Sequence, residues 1–324
     1  MTNLYKFMGA DIIDKLMMDE THIGIKFSHL HEYNDPYEFF LTIDFNRGSD
    51  ELAFYNEMIG MVTKQPATCF TKSPVIPPMW AHYAGNSSGF VIEINEEKFK
   101  KYLDEIGFQD HSSIADVEYK DSPDTGIEDI LARAFHICKP RYIYWLQSCI
   151  MTAAYLTKQT CWSYEQERRV IINEKALTKL NDNLMLLPVP INCITGVIVG
   201  HKSNDLLKQK IQSLAKKAKC RYFEMVIGKT TTTPFLLSQN LKSHQFINGN
   251  IIPASRQCKK CHEPLNMENK VCGWCGITNH DVKMAEYRNS FRMIANYGGL
   301  DKYISSMNKI TEEYKCSFRY RLIV

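Results

Sequence analysis

The chain has 324 residues, of which 44% are hydrophobic and 23% charged, values typical of globular proteins that bury a sizeable core. This length predicts two domains, or one large domain with an appendage. The longest apolar stretches are too short to span a bilayer, and the N-terminal sequence lacks the pattern of a secretory signal. We therefore expect a cytoplasmic protein without a membrane partner.

The formal net charge of +3 is unevenly distributed along the chain. Residues 1–200 contain 18 Lys and Arg against 27 Asp and Glu, whereas residues 201–324 contain 21 against 9. A basic C-terminal part behind an acidic N-terminal part favours RNA, DNA or an acidic protein as the partner of the C-terminal part. A solvated basic surface without a partner is the alternative interpretation.

The first half of the chain shows alternating strand and helix patterns. GADIIDKLMMDE has apolar residues at helical spacing, and HIGIKFS alternates apolar and polar residues as a half-buried strand does. PATCFTKS and GFVIEI are predicted strands, and Pro77 and Pro78 between them suit the first turn of a short helix. Residues 127–160 carry a long helical pattern that Pro140 interrupts.

The second half begins with two predicted strands, CWSYEQERRVII (residues 161–172) and ITGVIVG (194–200). A helix from Ser203 to Lys219 leads to a further strand, RYFEMVI, and two helices separated by Gly298 and Gly299 end the chain. These patterns indicate an α+β fold. We predict a mixed-sheet domain over residues 1–235, an irregular linker over 236–255, a cysteine module over 256–280 and a helical tail over 281–324.

Four of the eleven cysteines form two CxxC pairs separated by ten residues. Each pair places two thiolates on one side of a tight turn, and two such turns complete a tetrahedral set without an open position. We predict a structural Zn²⁺ site, a zinc ribbon, with a redox dithiol pair as the alternative. The predicted ligands are Cys258, Cys261, Cys272 and Cys275.

The sequence GKTTT at residues 228–232 resembles the end of a phosphate-binding loop. That motif needs a glycine five residues before Gly228, where this chain has Phe223. We therefore predict no phosphate loop at this position.

Two glutamates, Glu165 and Glu167, precede an apolar β-branched run in CWSYEQERRVII. Residues two apart on a strand project to the same face, so we expect the two carboxylates to lie close together. Such a pair is a candidate for acid and base chemistry, because nearby like charges raise each other's pKa. The alternative is a surface salt bridge to Arg168 and Arg169, which would contribute little.

Two other segments carry candidate polar or aromatic groups. Asn34 and Asp35 form a predicted turn before Glu38, and a weaker interpretation has Asp35, Glu38 and Glu165 bind a hard cation in a nuclease. Trp80 and Tyr83 lie three residues apart on one helical face. For Trp80, packing in the core is the favoured interpretation.

Several segments of the chain together resemble a domain family of unknown function, the one numbered 2971. They occur in the expected order and cover residues 1–230. These segments are LYKF, FSHLHEYNDPYE, CFTKS, MWAHYAGNSSGFVIEI, WSYEQERRVI and ITGVIVG.

The order of elements is also similar to that of ADP-ribosyltransferases. In that family a basic residue beside a tyrosine, a Ser/Thr-rich strand, a short helix with a tyrosine and a Glu-x-Glu pair follow one another. Tyr5-Lys6, CFTKS, MWAHYA and YEQERRVII match this order. Lys6 stands where an arginine or histidine is usual.

The resemblance implies an ADP-ribosyltransferase-like mixed sheet and an enzyme with NAD as substrate. By this resemblance Glu167 would bind the ribose, Glu165 would take a proton from the acceptor, and Tyr83 would stack on the nicotinamide ring. Tyr5 and Lys6 would hold the ribose and pyrophosphate. The implied cofactor-binding set is Tyr5, Lys6, Asn34, Asp35, Thr71, Ser73 and Trp80.

Two functions are therefore expected. The first is an ADP-ribosyltransferase-like enzyme that modifies a nucleic-acid or protein acceptor, such as a toxin or defence effector. The alternative is a non-catalytic zinc-ribbon protein that binds nucleic acid or a protein partner. A mixed basic and aromatic helix face around Tyr287, Arg288, Phe291 and Arg292 favours the alternative, although the same face also suits packing.

Overall fold

The structure is a computed structural model that describes residues 3–38, 40–106, 113–123, 125–181, 184–265 and 268–320. The chain divides into two compact units, Met1–Glu268 and Asn269–Val324. Strands and helices are both abundant in the first unit, which confirms the predicted α+β class.

A ten-stranded mixed sheet forms the centre of the first unit, and its strands follow the order β15-β14-β13-β12-β11-β4-β1-β3-β8-β5. Neighbouring strands run antiparallel except for the parallel pair β11 and β12. The strands are β1 (Asn3–Met8), β3 (Ala67–Thr71), β4 (Phe90–Asn95), β5 (Ser113–Asp116), β8 (Glu167–Ile171), β11 (Ile194–Val199), β12 (Arg221–Val226), β13 (Phe235–Ser238), β14 (Ser243–Ile247) and β15 (Asn250–Pro253).

Two small sheets accompany the central one. A three-stranded antiparallel sheet has the order β2-β10-β9, and two further strands pair in parallel. These strands are β2 (His22–Phe27), β9 (Thr178–Asn181) and β10 (Leu184–Pro190), and the parallel pair β6 (Glu118–Tyr119) and β7 (Thr157–Lys158).

The helices of the first unit cover the sheets or pack on one another. Prolines open α3 and α6, where a missing N–H costs nothing, and the side chain of Asn204 caps α7 by accepting from the Leu207 amide at 2.9 Å. The helices are α1 (Ile13–Leu16), α2 (Ser49–Met61), α3 (Pro77–Tyr83), α4 (Glu96–Glu105), α5 (Thr125–Ile137), α6 (Pro140–Leu156) and α7 (Asp205–Ala218).

The apolar core has separate parts on the two faces of the central sheet. One part packs β2, β10, α4 and α7 against residues such as Leu4 and Ile92. Another part holds Tyr5, Phe7 and Trp80 on the opposite face of β1. A third joins α2, α5 and α6 into a helical layer. Alternate residues of β1 therefore serve different cores, as the two-residue period of a strand requires.

The predicted linker at residues 236–255 is wrong. This segment forms strands β13 to β15, which extend the central sheet beyond β12. The hairpin between β14 and β15 turns at Asn248 and Gly249, whose φ angles are 50° and 78°. Positive φ at both central residues is the requirement of a type I′ hairpin turn.

The second unit contains four helices among its described residues. The prediction of one continuous helix before Gly298 is wrong, because Asn289 separates two helices there and its side chain accepts from the Arg292 amide at 3.2 Å. The helices are α8 (Gly273–Gly276), α9 (Asn279–Arg288), α10 (Ser290–Asn296) and α11 (Leu300–Tyr320). Across the described part of the chain, no helix has the length and apolarity needed to cross a membrane.

Candidate functional site

The central sheet opens between β1 and β3. These two antiparallel strands pair at Tyr5 and Thr71. The residues of β1 after Tyr5 and the residues of β3 before Thr71 line a cavity of about 640 Å³ instead of continuing the ladder. Small-molecule and cofactor sites commonly occupy about 300–1,000 Å³. The opening therefore provides a ligand-sized space inside the sheet.

Lys6 crosses this opening with its side chain. Its ammonium donates to the Thr68 hydroxyl at 2.7 Å and to the Cys69 carbonyl at 2.8 Å, so it reaches a backbone acceptor on the strand from which β1 has separated. Burial lowers the pKa of Lys6. Lys15 and Lys26 also line the cavity, which gives it a basic portion.

The structure brings Glu165 and Glu167 together at the same cavity, but the predicted geometry is wrong. Glu165 ends a 3-10 helix (Thr160–Glu165), Gln166 has left-handed backbone with φ 46°, and Glu167 is the first residue of β8. Both glutamates line the cavity. Their proximity arises from this sharp turn and not from strand alternation.

Lys158 at the end of β7 joins the two carboxylates. Its ammonium lies 2.9 Å from Glu165 Oε2 and 2.8 Å from Glu167 Oε2, and it lies 5.4 Å from the centre of the Trp162 ring. Lys158 and Trp162 both line the cavity. An ammonium held between two buried carboxylates removes the repulsion that would otherwise separate them.

Arg169 extends this ion cluster away from the cavity. Its Nε donates to Glu167 Oε1 at 2.8 Å, and its two terminal nitrogens donate to the two Glu38 oxygens at 3.2 and 3.0 Å. Arg169 is fully buried, so the expectation of a weak surface salt bridge is wrong for this pair. Arg168 points elsewhere and contacts Asp116 at 2.7 Å and Glu96.

The pKa values of the two acids next to Arg169 are shifted in opposite directions. Burial alone would raise the pKa of Glu167, but the charges of Arg169 and Lys158 outweigh it and lower that pKa to about 2. For Glu38 the effect of burial exceeds that of Arg169, and its pKa is raised. Glu167 is therefore a fixed anion at neutral pH.

Two tyrosines position the glutamates. The Tyr83 hydroxyl donates to Glu165 Oε1 at 2.5 Å, and the Glu167 amide donates to the Tyr119 hydroxyl at 2.8 Å. Burial, followed by the hydrogen bond to Glu165, raises the pKa of Tyr83. Tyr83 also lines the cavity, where its raised pKa keeps the phenol protonated as a hydrogen-bond donor to Glu165.

Most of the side chains predicted to surround a cofactor do border this cavity. Those that line it are Tyr5, Lys6, Asn34, Asp35 and Thr71, together with Tyr83, Glu165 and Glu167. Within the described part of the chain, the lining does not include Ser73 or Trp80.

Three of the predicted residues have other partners. Trp80 is fully buried and its indole N–H donates to the Pro74 carbonyl at 2.7 Å, which fits the core-packing interpretation. The Ser73 hydroxyl accepts from the Val75 amide at 3.3 Å. The Tyr5 hydroxyl donates to Glu93 Oε1 at 3.2 Å, so its polar group is already engaged within the fold.

The three carboxylates of the predicted hard-cation site are bound by groups of the protein itself. The side chain of Asp35 accepts from the Tyr37 amide at 2.9 Å, as a turn-forming aspartate does. Glu38 and Glu165 instead contact the buried cations Arg169 and Lys158. Among the described residues, these acids do not form a metal-ligand cluster.

The four predicted zinc ligands lie close together. The sulfurs of Cys258, Cys261, Cys272 and Cys275 are all within 4.8 Å of one another. Cys258 and Cys272 are buried, and the Cys275 amide donates to the Cys272 sulfur at 3.4 Å. Four thiols in this arrangement can hold a metal ion such as zinc.

The GKTTT segment binds the carboxylate of a glutamate side chain, Glu263. Glu263 Oε1 accepts from the amides of Lys229 at 2.8 Å and Thr230 at 2.7 Å, and from the Thr230 hydroxyl at 2.7 Å. A Cβ on Gly228 would lie 2.3 Å from the same oxygen, so any larger residue at this position would displace the carboxylate. The carboxylate occupies the place where a phosphate loop would bind its ligand.

Lys158, Trp162 and Tyr119 were not identified from the sequence. Lys158 precedes Glu165 by seven residues, and no motif marks it. Glu38 and Arg169, which complete the ion cluster, are 131 residues apart. Charge complementarity around the glutamates was visible in the sequence, but the choice of partners depends on the tertiary fold.

Comparisons with known proteins support one assignment. No curated protein and no solved structure matches the chain. Residues 79–170, a shorter segment than the sequence had indicated, match the model of a family described as "Protein of unknown function (DUF2971)". The matched segment contains Tyr83, Lys158, Glu165 and Glu167, so the chain is similar to this family over the part that contributes these four residues to the cavity.

Proposed function

We propose that the cavity is the active site of an ADP-ribosyltransferase-like enzyme, which consumes NAD and modifies a nucleic-acid or protein acceptor. The observation that carries this proposal is the convergence of Glu165, Glu167 and Tyr83 on one wall of the cavity. A toxin or defence effector would use such a reaction.

The charge of the ion cluster suits this chemistry. Three carboxylates (Glu38, Glu165 and Glu167) face two cations (Lys158 and Arg169), so the fully ionised cluster keeps one net negative charge. Cleavage of the nicotinamide–ribose bond sends the bonding electrons to the ring nitrogen and leaves positive charge on the ribose. Fixed negative charge in a buried site stabilises such a transition state.

The environments of the two glutamates suggest different roles. Glu167 has a pKa of about 2 because Arg169 and Lys158 outweigh the effect of burial, so it serves as a permanent anion that accepts from a ribose hydroxyl. Glu165 would accept the proton that the acceptor's O–H or N–H group loses as its new bond to the ribose forms. Tyr83 would hold Glu165 in place through their hydrogen bond and present its ring to the nicotinamide.

The remainder of the cavity suits the rest of a dinucleotide. Lys6, Lys15 and Lys26 would face the pyrophosphate, and an apolar wall that includes Leu184 and Leu186 would face a base. We assign the four-cysteine cluster as a closed structural zinc site, because four thiolates leave no position for a substrate.

Incubation with ³²P-labelled NAD and cell lysate tests the proposal. We expect the wild-type protein to release nicotinamide and to label a macromolecule. Glu167→Gln and Glu165→Gln should each reduce the rate by about 100-fold or more, since one positioned electrostatic or base group contributes on the order of 10²–10³. Circular dichroism must show that both variants are folded.

Glu118→Gln is the matched control, because Glu118 is an exposed acid on β6 whose ion pair with Lys120 spans 3.3 Å. Its rate should equal that of the wild type. Folded wild-type protein that neither consumes NAD nor labels any lysate component would refute the enzymatic proposal.

The second candidate is a non-catalytic protein whose C-terminal helices bind a partner. Its support is the large exposed aromatic surface of the second unit, where Tyr287 is 73% and Tyr297 90% exposed. Tyr287→Ala with Tyr297→Ala should then abolish capture of the partner from lysate while NAD turnover stays absent. Capture that is unaffected by this double substitution would refute the second candidate.

A further inference from the structure

The connection between α5 and α6 presents positive charge and aromatic rings to solvent. Residues 136–141 are all exposed. Arg133 on α5, and Lys139 and Arg141 around the start of α6, provide the charge. Tyr144 and Trp145 follow one turn later and are 68% and 48% exposed. We call these five residues the basic–aromatic surface.

The cations of this surface are not neutralised. Among the described residues, no carboxylate forms an ion pair with Arg133, Lys139 or Arg141. Asp129 lies one turn before Arg133 without such a pair, and Glu128 contacts Arg47. The surface is therefore a local exception in the acidic part of the chain, which carries 27 acidic and 18 basic residues up to position 200.

The positive charge of this surface affects the pKa of a neighbouring tyrosine. Arg141 lies 4.7 Å from the centre of the Tyr142 ring and donates to its hydroxyl at 2.9 Å. This hydrogen bond, together with the charges of Arg141, Lys139 and Arg133, lowers the pKa of Tyr142. The three cations thus act on one small region.

The aromatic rings are positioned by the same helix. The Tyr142 ring supports the Trp145 ring edge to face, with centroids 5.8 Å apart and planes at 67°. The Trp145 ring is thus held by a neighbour while about half of it remains open to solvent. Exposed rings next to unpaired cations are typical of sites where bases stack and phosphates pair.

We propose that the basic–aromatic surface binds single-stranded nucleic acid. Arg133, Lys139 and Arg141 would contact successive phosphates, and Tyr144 and Trp145 would stack on bases. An acidic peptide would pair with the cations but would give the two exposed rings no partner for stacking. Double-stranded nucleic acid hides its bases from such rings. This inference is independent of NAD chemistry, because the surface does not belong to the cavity.

Fluorescence anisotropy of a labelled oligo-dT 20-mer tests the proposal on the full chain at several salt concentrations. The logarithm of the binding constant should fall linearly with the logarithm of salt. Each phosphate contact on a single strand contributes about 0.7 to that slope. Arg133→Ala with Arg141→Ala should therefore weaken binding and reduce the slope by about 1.4.

Trp145→Ala tests stacking separately. It should weaken binding by about 5- to 150-fold, the effect of one base–aromatic stack, and leave the salt slope unchanged. If these residues had only a structural role, the arginine and tryptophan variants would not differ in their effect on the salt slope. The melting temperature of each variant must stay within a few degrees of the wild type, and Trp145→Phe should restore most of the lost affinity.

Lys100→Ala with Lys101→Ala is the matched control. It removes two exposed lysines from α4, each of which pairs with a glutamate of its own helix, at 2.8 and 3.8 Å. The control should bind like the wild type. Equal weakening by this control, loss of binding only with Arg288→Ala and Arg292→Ala in the second unit, or preference for poly-glutamate over the oligonucleotide would each overturn the proposal.

Discussion

Replacement of Lys158 by methionine would expose how strongly the ion cluster depends on one ammonium. The substitution keeps the length of the side chain but leaves Glu165 and Glu167 buried without their shared cation. We expect a loss of about 3–5 kcal/mol in the free energy of unfolding, the usual cost of removing one partner from a buried ion pair.

The pKa of Glu167 gives a consistent magnitude. Its shift from 4.5 to about 2 is the balance of burial against Arg169 and Lys158. At about 1.4 kcal/mol per pKa unit, this shift corresponds to about 3 kcal/mol of preference for the ionised form. Methionine would remove the contribution of Lys158 while Arg169 remains, so part of this preference would be lost in addition to the burial cost of Glu165.

The sign of the pH dependence follows from the depressed pKa. Glu167 stabilises the fold fully above the pKa of the unfolded chain, and this contribution disappears as the pH falls from 4.5 towards 2. The difference between wild type and variant should therefore be largest near neutral pH and shrink below 4.5. Urea unfolding at a series of pH values measures it.

Lys101→Met is the control for this experiment, because its ion pair with Glu105 spans 3.8 Å at an exposed position. It should change the free energy of unfolding by less than about 1 kcal/mol. A Lys158→Met protein within 1 kcal/mol of the wild type at neutral pH, or a deficit that grows in acid, would refute the reasoning.

Further predictions concern tight packing and the metal site. Gly196→Ala would place a Cβ 2.2 Å from Glu93 Oε2, which Arg221 holds at 2.8 Å, so we expect thermal unfolding to show a loss of about 1–3 kcal/mol. Gly60→Ala has open space in α2 and should instead stabilise by up to about 1 kcal/mol; equal effects of the two alanines would contradict this account. Cys261→Ser should lower the zinc content, measured by atomic absorption, from about one ion per chain to near zero. Unchanged zinc content would exclude the four-cysteine ligand set.

Local patterns predicted much of the fold. Alternation identified β2, short apolar runs identified β3, β4 and β11, and N-cap residues together with an apolar stripe identified α7. These elements bury a regular face, which the sequence records directly. The strands β13 to β15 have mixed burial and polar residues, so their periodicity is weak. Their one clear signal was the Asn248-Gly249 dipeptide, a strong hairpin marker.

The candidate site was predictable in its residue types and not in its geometry. Glu165 and Glu167 stood out as two carboxylates spaced two residues apart before an apolar run, and both line the cavity. The left-handed Gln166 that turns them together has no sequence marker, since Asn or Gly would be the usual residue there. Lys158 could not be identified because no local motif links it to Glu165 and Glu167, and because the fold brings Glu38 to it from a distant part of the chain.

The opening between β1 and β3 has a mechanical consequence. One residue pair, Tyr5 with Thr71, and the Lys6 side chain link the strands on either side of it. The opening divides the sheet into two parts, which we call plates, joined by few contacts. The amides of β1 and β3 beside the opening should therefore exchange with deuterium sooner than those of β4 or β11. Any molecule that fills the cavity would bridge both plates, so slower exchange along β3 would report its binding before its identity is known.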